Sequence, residues 1–235
     1  MNTEINFHPN EKLLDSFAQG RLPAGMSIAI SAHVELCNSC KENTSVAEVK
    51  AGVAWLETPE SKSSSEFDHL VADIVKQPQQ KNIVVEPSSV NEIHMLDHSV
   101  KLPKALAKVA SEGLVWKKLT GGINRAELLL DDETQCEFVY MKPGSQVPMH
   151  KHQGNEFTLV IDGSFFDELG CYKSSDFVVR NKDQIHEPAS EEGCLCFAVL
   201  DSPVTFTRGM ARLLNPINRY KFRKATAKKL NKLSV

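Results

Sequence analysis

The sequence predicts an α+β protein of two units, a small all-α unit of about four helices followed by an all-β barrel. Between residue 10 and about residue 77, apolar residues recur at helical spacing. Beyond residue 103, short runs of β-forming residues alternate with turn signals, a density of strands typical of one sandwich or barrel. The 235 residues, 41% of them hydrophobic, suffice for two small cores.

Each helix is indicated by its own periodic segment. The segments are EKLLDSFAQGRL, MSIAISAHVELCNSC, SVAEVKAGVAWLE and EFDHLVADIVKQ. Breaks are expected at residues 22–25, near residues 40–44, and at residues 58–65, because Pro, Gly and Ser interrupt the pattern there.

These patterns divide the chain into four parts. We expect the all-α unit in residues 1–80, a polar linker in 81–102 that can end in a first strand, the all-β unit in 103–207, and a basic tail in 208–235. The tail is either a final helix or a disordered arm, with Pro216 separating two pieces.

The net charge of −3 is unevenly distributed: −7 over residues 1–100, −5 over 101–207 and +9 over 208–235. An acidic front unit disfavours direct DNA binding and favours a basic protein partner, although a solvated acidic helical surface has the same composition. No apolar run approaches the roughly 18 residues that span a bilayer, and no signal-peptide pattern begins the sequence. We therefore expect a cytoplasmic protein without membrane contact.

The first candidate site is in the segment HVELCNSC. His33, Cys37 and Cys40 are spaced i, i+4 and i+7, so on one helix their side chains point within a sector of about 60°. Reduced cytoplasmic thiols separated by two residues are better interpreted as metal ligands than as disulfide halves. Tetrahedral Zn²⁺ needs four N or S ligands, and His8 is the best candidate for the fourth.

Two other interpretations of this segment stay open. The cysteines and His33 can be buried core residues, and a redox Cys-x-x-Cys is a further alternative that the helical surroundings disfavour. A leading His followed by His-x-x-x-Cys-x-x-Cys in a small helical unit resembles the zinc-binding anti-sigma domain. That resemblance, over about residues 5–77, implies that His8, His33, Cys37 and Cys40 bind zinc and that the helices hold a group IV (extracytoplasmic-function) sigma factor.

The second candidate site follows the pattern G-x5-H-x-H-x3-E-x6-G, from Gly144 through His150, His152 and Glu156 to Gly163. Histidines two residues apart face the same side of a strand, and glycines suit the bends. The pattern resembles the first cupin motif at each defined position. The expected all-β unit is therefore a cupin barrel, a double-stranded β-helix.

A weaker second motif supplies the fourth ligand of that site. It ends in His186, with Asn181 and Asp183 where cupins usually have Pro and Gly. Three histidines and one carboxylate fit Zn²⁺, Fe, Mn or Ni. Two alternatives stay open. The histidines can be polar residues of the core without a metal, or the barrel can be a metal-dependent oxygenase or isomerase. Arg180 can then bind substrate, although it is also readable as a solvated strand end.

The two motifs in this order resemble the ChrR family of anti-sigma factors over nearly the whole chain. The pair Cys194 and Cys196 and the run from Arg212 to Pro216 resemble family features as well, although the cysteines can equally be small core residues. The resemblance implies a non-enzymatic regulator that binds its sigma factor 1:1. Its cupin domain would sense oxidative stress, such as singlet oxygen or organic peroxide, and trigger release. A third interpretation is a metal-stabilised scaffold that senses nothing.

Overall fold

The computed structural model describes residues 5–57, 66–78, 92–94, 99–182 and 184–227. Its α-helices, in chain order, are α1 (Glu11–Ala18), α2 (Ala24–Leu36), α3 (Asn38–Leu56), α4 (Glu66–Lys76), α5 (Lys104–Ala110) and α6 (Asn215–Ala227). Two short 3₁₀ helices span Thr120–Gly122 and Met210–Leu214. Within these described ranges, no helix is both long enough and apolar enough to cross a membrane.

Fourteen strands are described. They are β1 (Glu92–His94), β2 (Ser99–Lys101), β3 (Trp116–Lys118), β4 (Ile123–Leu128), β5 (Gln135–Met141), β6 (Ser145–Gln146), β7 (His150–His152), β8 (Glu156–Asp167), β9 (Gly170–Lys173), β10 (Phe177–Arg180), β11 (Ile185–His186), β12 (Ala189–Ser190), β13 (Cys194–Leu200) and β14 (Val204–Phe206). The predicted fold class, a helical unit followed by a cupin-like barrel, is confirmed.

The four predicted N-terminal helices are present, but one predicted break is wrong. No break occurs at residues 40–44, because α3 runs without interruption from Asn38 to Leu56. The chain instead bends at Cys37, whose backbone is extended (φ −118°, ψ 109°). Cys37 thus ends α2 and also caps α3, with its Sγ accepting from the backbone N–H of Cys40 at 3.5 Å.

The barrel is a curled antiparallel sheet in the order β3-β4-β5-β13-β8-β12-β6, with β9 and β10 also paired to β8. A smaller sheet, β11-β7-β14, carries three of the predicted ligands. At Gly163 (φ 72°) the long strand β8 bends so closely past β13 that a Cβ would lie 2.1 Å from the Gly193 carbonyl oxygen. Only glycine fits this bend of the first cupin motif.

In three regions the structure differs from the sequence-based expectation or decides between its alternatives. The region predicted as a linker contains the hairpin β1–β2, and the remainder of residues 81–98 lies outside the described residues. Helix α5 opens the predicted all-β unit; its apolar side, including Leu106 and Ala110, is buried. The basic tail forms α6 at least to Ala227, with Pro216 in the first turn, where a missing N–H costs nothing.

The helical unit packs directly on the barrel. Helix α2 contacts β8, β13 and α5, and one continuous hydrophobic core includes residues of both units. Asp131 of the barrel accepts the backbone N–H of Gly25 at 2.7 Å, at the start of α2, where a carboxylate is favoured by the helix dipole. Glu35, near the other end of α2, accepts the backbone N–H of Lys104 at 2.9 Å.

Gly25 is expected to be essential for this packing. A Cβ on Gly25 would lie 2.2 Å from Cys136 Sγ and 2.7 Å from Thr134 Oγ1, both on the barrel. We therefore expect Gly25→Ala to lower the free energy of unfolding by about 1–3 kcal/mol through overpacking, measured by thermal unfolding. The control is Gly52→Ala in α3, where no atom lies within 4 Å of the added Cβ. Gly52→Ala should be neutral or stabilising by up to about 1 kcal/mol, and equal losses in both variants would contradict the argument.

Candidate metal centres

The first cluster joins His8, His33, Cys37 and Cys40, whose ligand atoms all lie within 4.8 Å of one another. His33 belongs to α2, Cys37 to the junction and Cys40 to the first turn of α3, so the predicted single helical face is wrong although the grouping is right. His8 approaches from the N-terminal segment and is the one exposed member. The bend at Cys37 directs both sulfurs toward His33.

The distances in this cluster fit a tetrahedral metal. His33 Nε2 lies 3.3 Å from Cys40 Sγ, and His8 Nδ1 lies 3.4 Å from Cys40 Sγ and 3.5 Å from Cys37 Sγ. When a nitrogen and a sulfur bind Zn²⁺ at ordinary bond lengths with a tetrahedral angle at the metal, the two ligand atoms are about 3.5 Å apart. The donor set and its spacing therefore fit Zn²⁺; that zinc occupies the site stays a prediction.

A hydrogen bond fixes His33 in the tautomer that can bind a metal ion. Its Nδ1 lies 2.9 Å from the carbonyl oxygen of Ser175, and because a carbonyl only accepts, Nδ1 carries the proton and Nε2 presents its lone pair to the cluster. Burial lowers the pKa of His33 to about 4, so the ring is neutral at pH 7. Burial and the adjacent Cys37 raise the pKa of Cys40 to about 12, so a bound cation is needed to hold Cys40 as a thiolate.

The second cluster joins His150, His152, Glu156 and His186. His150 and His152 share one face of β7, and His186 lies opposite His150 on β11. Glu156 begins β8. The three imidazoles are almost completely buried, with 5%, 1% and 3% of their surface exposed, so a ligand here would be shielded from bulk water.

Two of these histidines are oriented by groups outside the cluster. His150 Nδ1 donates to the Pro148 carbonyl at 2.9 Å, and His186 Nδ1 donates to Asp167 Oδ2 at 3.2 Å. Burial, with His186 adding to it, lowers the pKa of His150 to about 3. The His150 ring therefore presents a neutral Nε2 lone pair, the state that binds metals, and the Nδ1 hydrogen bond of His186 likewise leaves its Nε2 facing the cluster.

The surroundings of Glu156 show whether this cluster fits a metal ion. Burial alone would raise its pKa, but the three histidines hold that pKa well below its usual range. Its Oε2 lies 2.9 Å from His152 Nε2 and 3.5 Å from His186 Nε2, yet it is buried without a hydrogen bond. The two nitrogens are themselves 3.3 Å apart. The carboxylate oxygen and the imidazole nitrogens thus converge on one buried point. This arrangement fits a cation bound by all of them.

Other residues singled out from the sequence have different surroundings. Arg180 is neither a solvated strand end nor free for substrate: it is buried, paired with Asp167 Oδ2 at 2.8 Å and placed over the Tyr172 ring. Cys194 and Cys196 are buried in β13, with their sulfurs 3.9 Å apart.

The cysteines and histidines left without a role lie in ordinary environments. Cys136 is buried, Cys171 is exposed, and His69 and His94 are exposed, while His98 lies outside the described residues. The outer partners Pro148, Asp167 and Ser175 were not predicted. Asp167 and Ser175 lie 19 and 142 residues from the histidines that they contact, and the Pro148 carbonyl, two residues from His150, is a backbone group without a side-chain signal.

Comparisons with known proteins agree with this architecture. Residues 104–203 match the sequence family described as the ChrR cupin-like domain. The anti-sigma-E factor ChrR of Cereibacter sphaeroides is 27% identical over 224 residues, covering 92% of this chain and 99% of the relative. The crystal structure of Rhodobacter sphaeroides SigE in complex with the anti-sigma ChrR matches with a TM-score of 0.65 and 25% identity, covering 84% of this chain and 99% of that chain.

The fold and the two clusters define a class of two-unit proteins in which a helical unit with a His₂Cys₂ cluster packs on a cupin barrel with a His₃Glu cluster. Within that class the chain is similar to ChrR along nearly its whole length, and residues 104–203 of its barrel match the ChrR cupin-like domain. The resemblance inferred from the two motifs is confirmed.

Proposed function

We propose that this chain is a cytoplasmic anti-sigma factor that binds a group IV sigma factor through its zinc-stabilised helical unit. The observation that carries the proposal is its similarity to ChrR across both units, together with the complex of that relative with SigE. The same similarity supports a regulator rather than an enzyme. The burial of Arg180 in an ion pair also removes the arginine that an oxygenase or isomerase site would have used.

Helix α3 offers one part of a binding surface. Val46, Val49, Val53 and Leu56 are spaced i, i+3, i+7 and i+10, which places them within about 80° on one face of the helix. Each is half or more exposed. An apolar stripe left in solvent is costly for the isolated chain and is typical of a surface that a partner covers.

Helix α4 offers the other part. Its apolar side chains also follow helical spacing, and all are more than half exposed: Phe67, Leu70, Val71, Ile74 and Val75. The net charge of −7 over residues 1–100 suits a DNA-binding protein with basic surfaces. We take the occupant of both stripes to be the sigma factor.

This surface can be tested with charges. We expect the double substitution Val53→Asp and Leu56→Asp to weaken sigma binding by about 100-fold or more, since two buried interface anchors each contribute about 2 kcal/mol. The measurement is the Kd by calorimetry or surface plasmon resonance. The control is Val115→Asp, at a valine that is 74% exposed and lies directly before β3 of the barrel, which should leave the Kd unchanged. Unchanged affinity in the double variant would place the interface elsewhere.

For the barrel we propose a sensing role. The His₃Glu cluster would hold Zn²⁺, or Fe, Mn or Ni, and oxidative stress such as singlet oxygen or organic peroxide would alter this site and trigger release of the sigma factor. The buried cluster and the direct packing of α2 on the barrel support this division of labour, because a change in the barrel reaches the helical unit without crossing a free linker.

The decisive experiment is co-expression of the full chain with the group IV sigma factors of its organism. We expect a 1:1 zinc-containing complex that silences run-off transcription by RNA polymerase. Failure of every such sigma factor to co-purify with the chain, with zinc bound and the protein folded, would overturn the anti-sigma proposal.

A further inference from the structure

The zinc ligands of the helical unit are held in place by the barrel. The turn between β9 and β10 supplies the carbonyl of Ser175, the acceptor for His33 Nδ1. Ser175 has a positive φ of 78°, unusual for a residue with a side chain. Two hydrogen bonds to β8 hold this turn in place. Ser175 N–H donates to the Val160 carbonyl at 2.8 Å, and Ser174 Oγ donates to the Ile161 carbonyl at 2.8 Å.

Asp176, in the same turn, fixes the segment that carries His8. Its side chain is completely buried, and its Oδ1 accepts the backbone N–H groups of Asn6 at 2.9 Å and Phe7 at 3.2 Å. Phe177 then donates its backbone N–H to the Phe7 carbonyl at 2.9 Å. Two of the four zinc ligands are therefore positioned by one turn of the barrel.

The same hairpin reaches the cupin cluster. Asp167 accepts from His186 Nδ1 at 3.2 Å, from Arg180 Nη2 at 2.8 Å and from the Tyr172 hydroxyl at 3.3 Å. Arg180 also donates to the Tyr172 hydroxyl. The Tyr172 ring in turn packs edge-on against Phe7, with 4.8 Å between the centroids. A continuous series of contacts thus joins His186 to the residue before His8.

We propose that the β9–β10 hairpin, residues 170–180, is an outer shell shared by both metal centres and couples them thermodynamically. A metal bound to His186 would fix that ring and, through Asp167 and Tyr172, the hairpin that orients the zinc ligands. Cupin occupancy then raises zinc affinity in the helical unit, and by linkage zinc raises metal affinity in the cupin. Loss of the cupin metal would loosen the zinc site without any direct contact between the two metals. This inference rests on the proposed metal sites and does not require sigma binding.

The coupling is measurable with Co²⁺, because only the cluster with Cys37 and Cys40 gives a thiolate-to-cobalt charge-transfer band. Titration of the full chain reports the affinity of that cluster alone. We expect His152→Ala, which disables the cupin site without touching the hairpin contacts, to weaken Co²⁺ binding at the cysteine cluster by about 5- to 10-fold. In a Tyr172→Phe background this difference should shrink, since the hydroxyl contact to Asp167 is lost while the Arg180 contact to Asp167 and the ring contact to Phe7 remain.

Asp176→Asn isolates the positioning role itself. We expect it to weaken Co²⁺ binding at the cysteine cluster by about 10- to 100-fold, as loss of outer-shell partners does. The matched control is Asp131→Asn, another buried barrel carboxylate that accepts a backbone N–H of the helical unit, from Gly25, outside both metal clusters. Asp131→Asn should leave the Co²⁺ affinity unchanged.

Three results would overturn the coupling. The first is equal affinities in wild type and His152→Ala. The second is a difference of undiminished size with Tyr172→Phe. The third is equal losses in Asp176→Asn and Asp131→Asn, which would reduce the Asp176 contact to general packing. Absence of the charge-transfer band altogether would reject the cysteine site, and the proposal with it.

Discussion

Replacement of Cys40 by Ser is expected to abolish zinc binding in the helical unit and, with it, inhibition of the sigma factor. Cys40 Sγ lies within 3.4 Å of His33 Nε2 and His8 Nδ1, at the centre of the cluster, and the residue is 2% exposed. A hydroxyl in its place is a poor zinc ligand, so the site would keep three ligands of unequal strength.

The effect should be large because the helical unit has little else to stabilise it. Among the described residues of the helical unit, the buried hydrophobic ones outside the cluster are few, and half of them are alanine: Leu14, Met26, Ala29, Ile30, Ala32 and Ala47. Structural zinc contributes on the order of 10 kcal/mol or more at pH 7. Without it, we expect α1 and α3 to lose their fixed positions, while α2 stays packed on the barrel.

Three measurements check this expectation: zinc content by elemental analysis, helicity by circular dichroism, and run-off transcription with the sigma factor. Cys171→Ser, at an exposed cysteine outside both clusters, is the control and should behave as wild type. A Cys40→Ser protein that keeps its zinc and still silences transcription would show that the cluster is not a structural site.

Local patterns were enough to predict most of the elements and to group the candidate ligands. Helical periodicity located the four N-terminal helices, and the strand segments matched the major strands of the barrel. All eight candidate ligands fall into the two predicted groups. Short spacings constrain the backbone directly, which is why Cys37 and Cys40, or His150 and His152, could be paired without knowledge of the fold.

The residues of the first cluster were nevertheless grouped for the wrong reason. A continuous helix through His33, Cys37 and Cys40 was expected, but the extended backbone at Cys37 starts a new helix there. Periodicity does not detect a one-residue bend between two helices, because the apolar pattern of each helix is preserved on either side. The sulfurs still converge since Cys37 caps α3 and Cys40 lies in its first turn.

Contacts between distant segments could not be predicted. Ser175 and Asp176 look like ordinary turn residues in the sequence, and Arg180 like a strand end. The roles of Ser175 and Asp176 follow from the packing of the helical unit on the barrel, which joins partners as many as 170 residues apart. The role of Arg180 follows from its ion pair with Asp167. Helix α5 was also missed, because its seven residues are too few for a clear periodic signal.

Double replacement of His150 and His152 by Ala is expected to separate sensing from repression. The change removes two of the four ligands of the cupin cluster, so the chain should lose one metal equivalent and keep the other. A roughly 10-fold weaker zinc site, as the shared hairpin implies, would still stay loaded at cellular zinc levels, because structural zinc binds far more tightly than that loss. The sigma factor should therefore remain bound and transcription silenced.

Induction is the property that should disappear. Cells with the double variant and a reporter of the sigma-dependent promoter should show no response to singlet oxygen or organic peroxide, whereas wild type responds. His94→Ala, at an exposed histidine far from the cupin motif in sequence, is the control. Retained induction would remove the cupin metal from the sensing mechanism, whereas constitutive transcription would mean that the helical unit cannot hold its sigma factor without an occupied barrel. The second outcome would make the barrel a required support of the complex rather than its sensor.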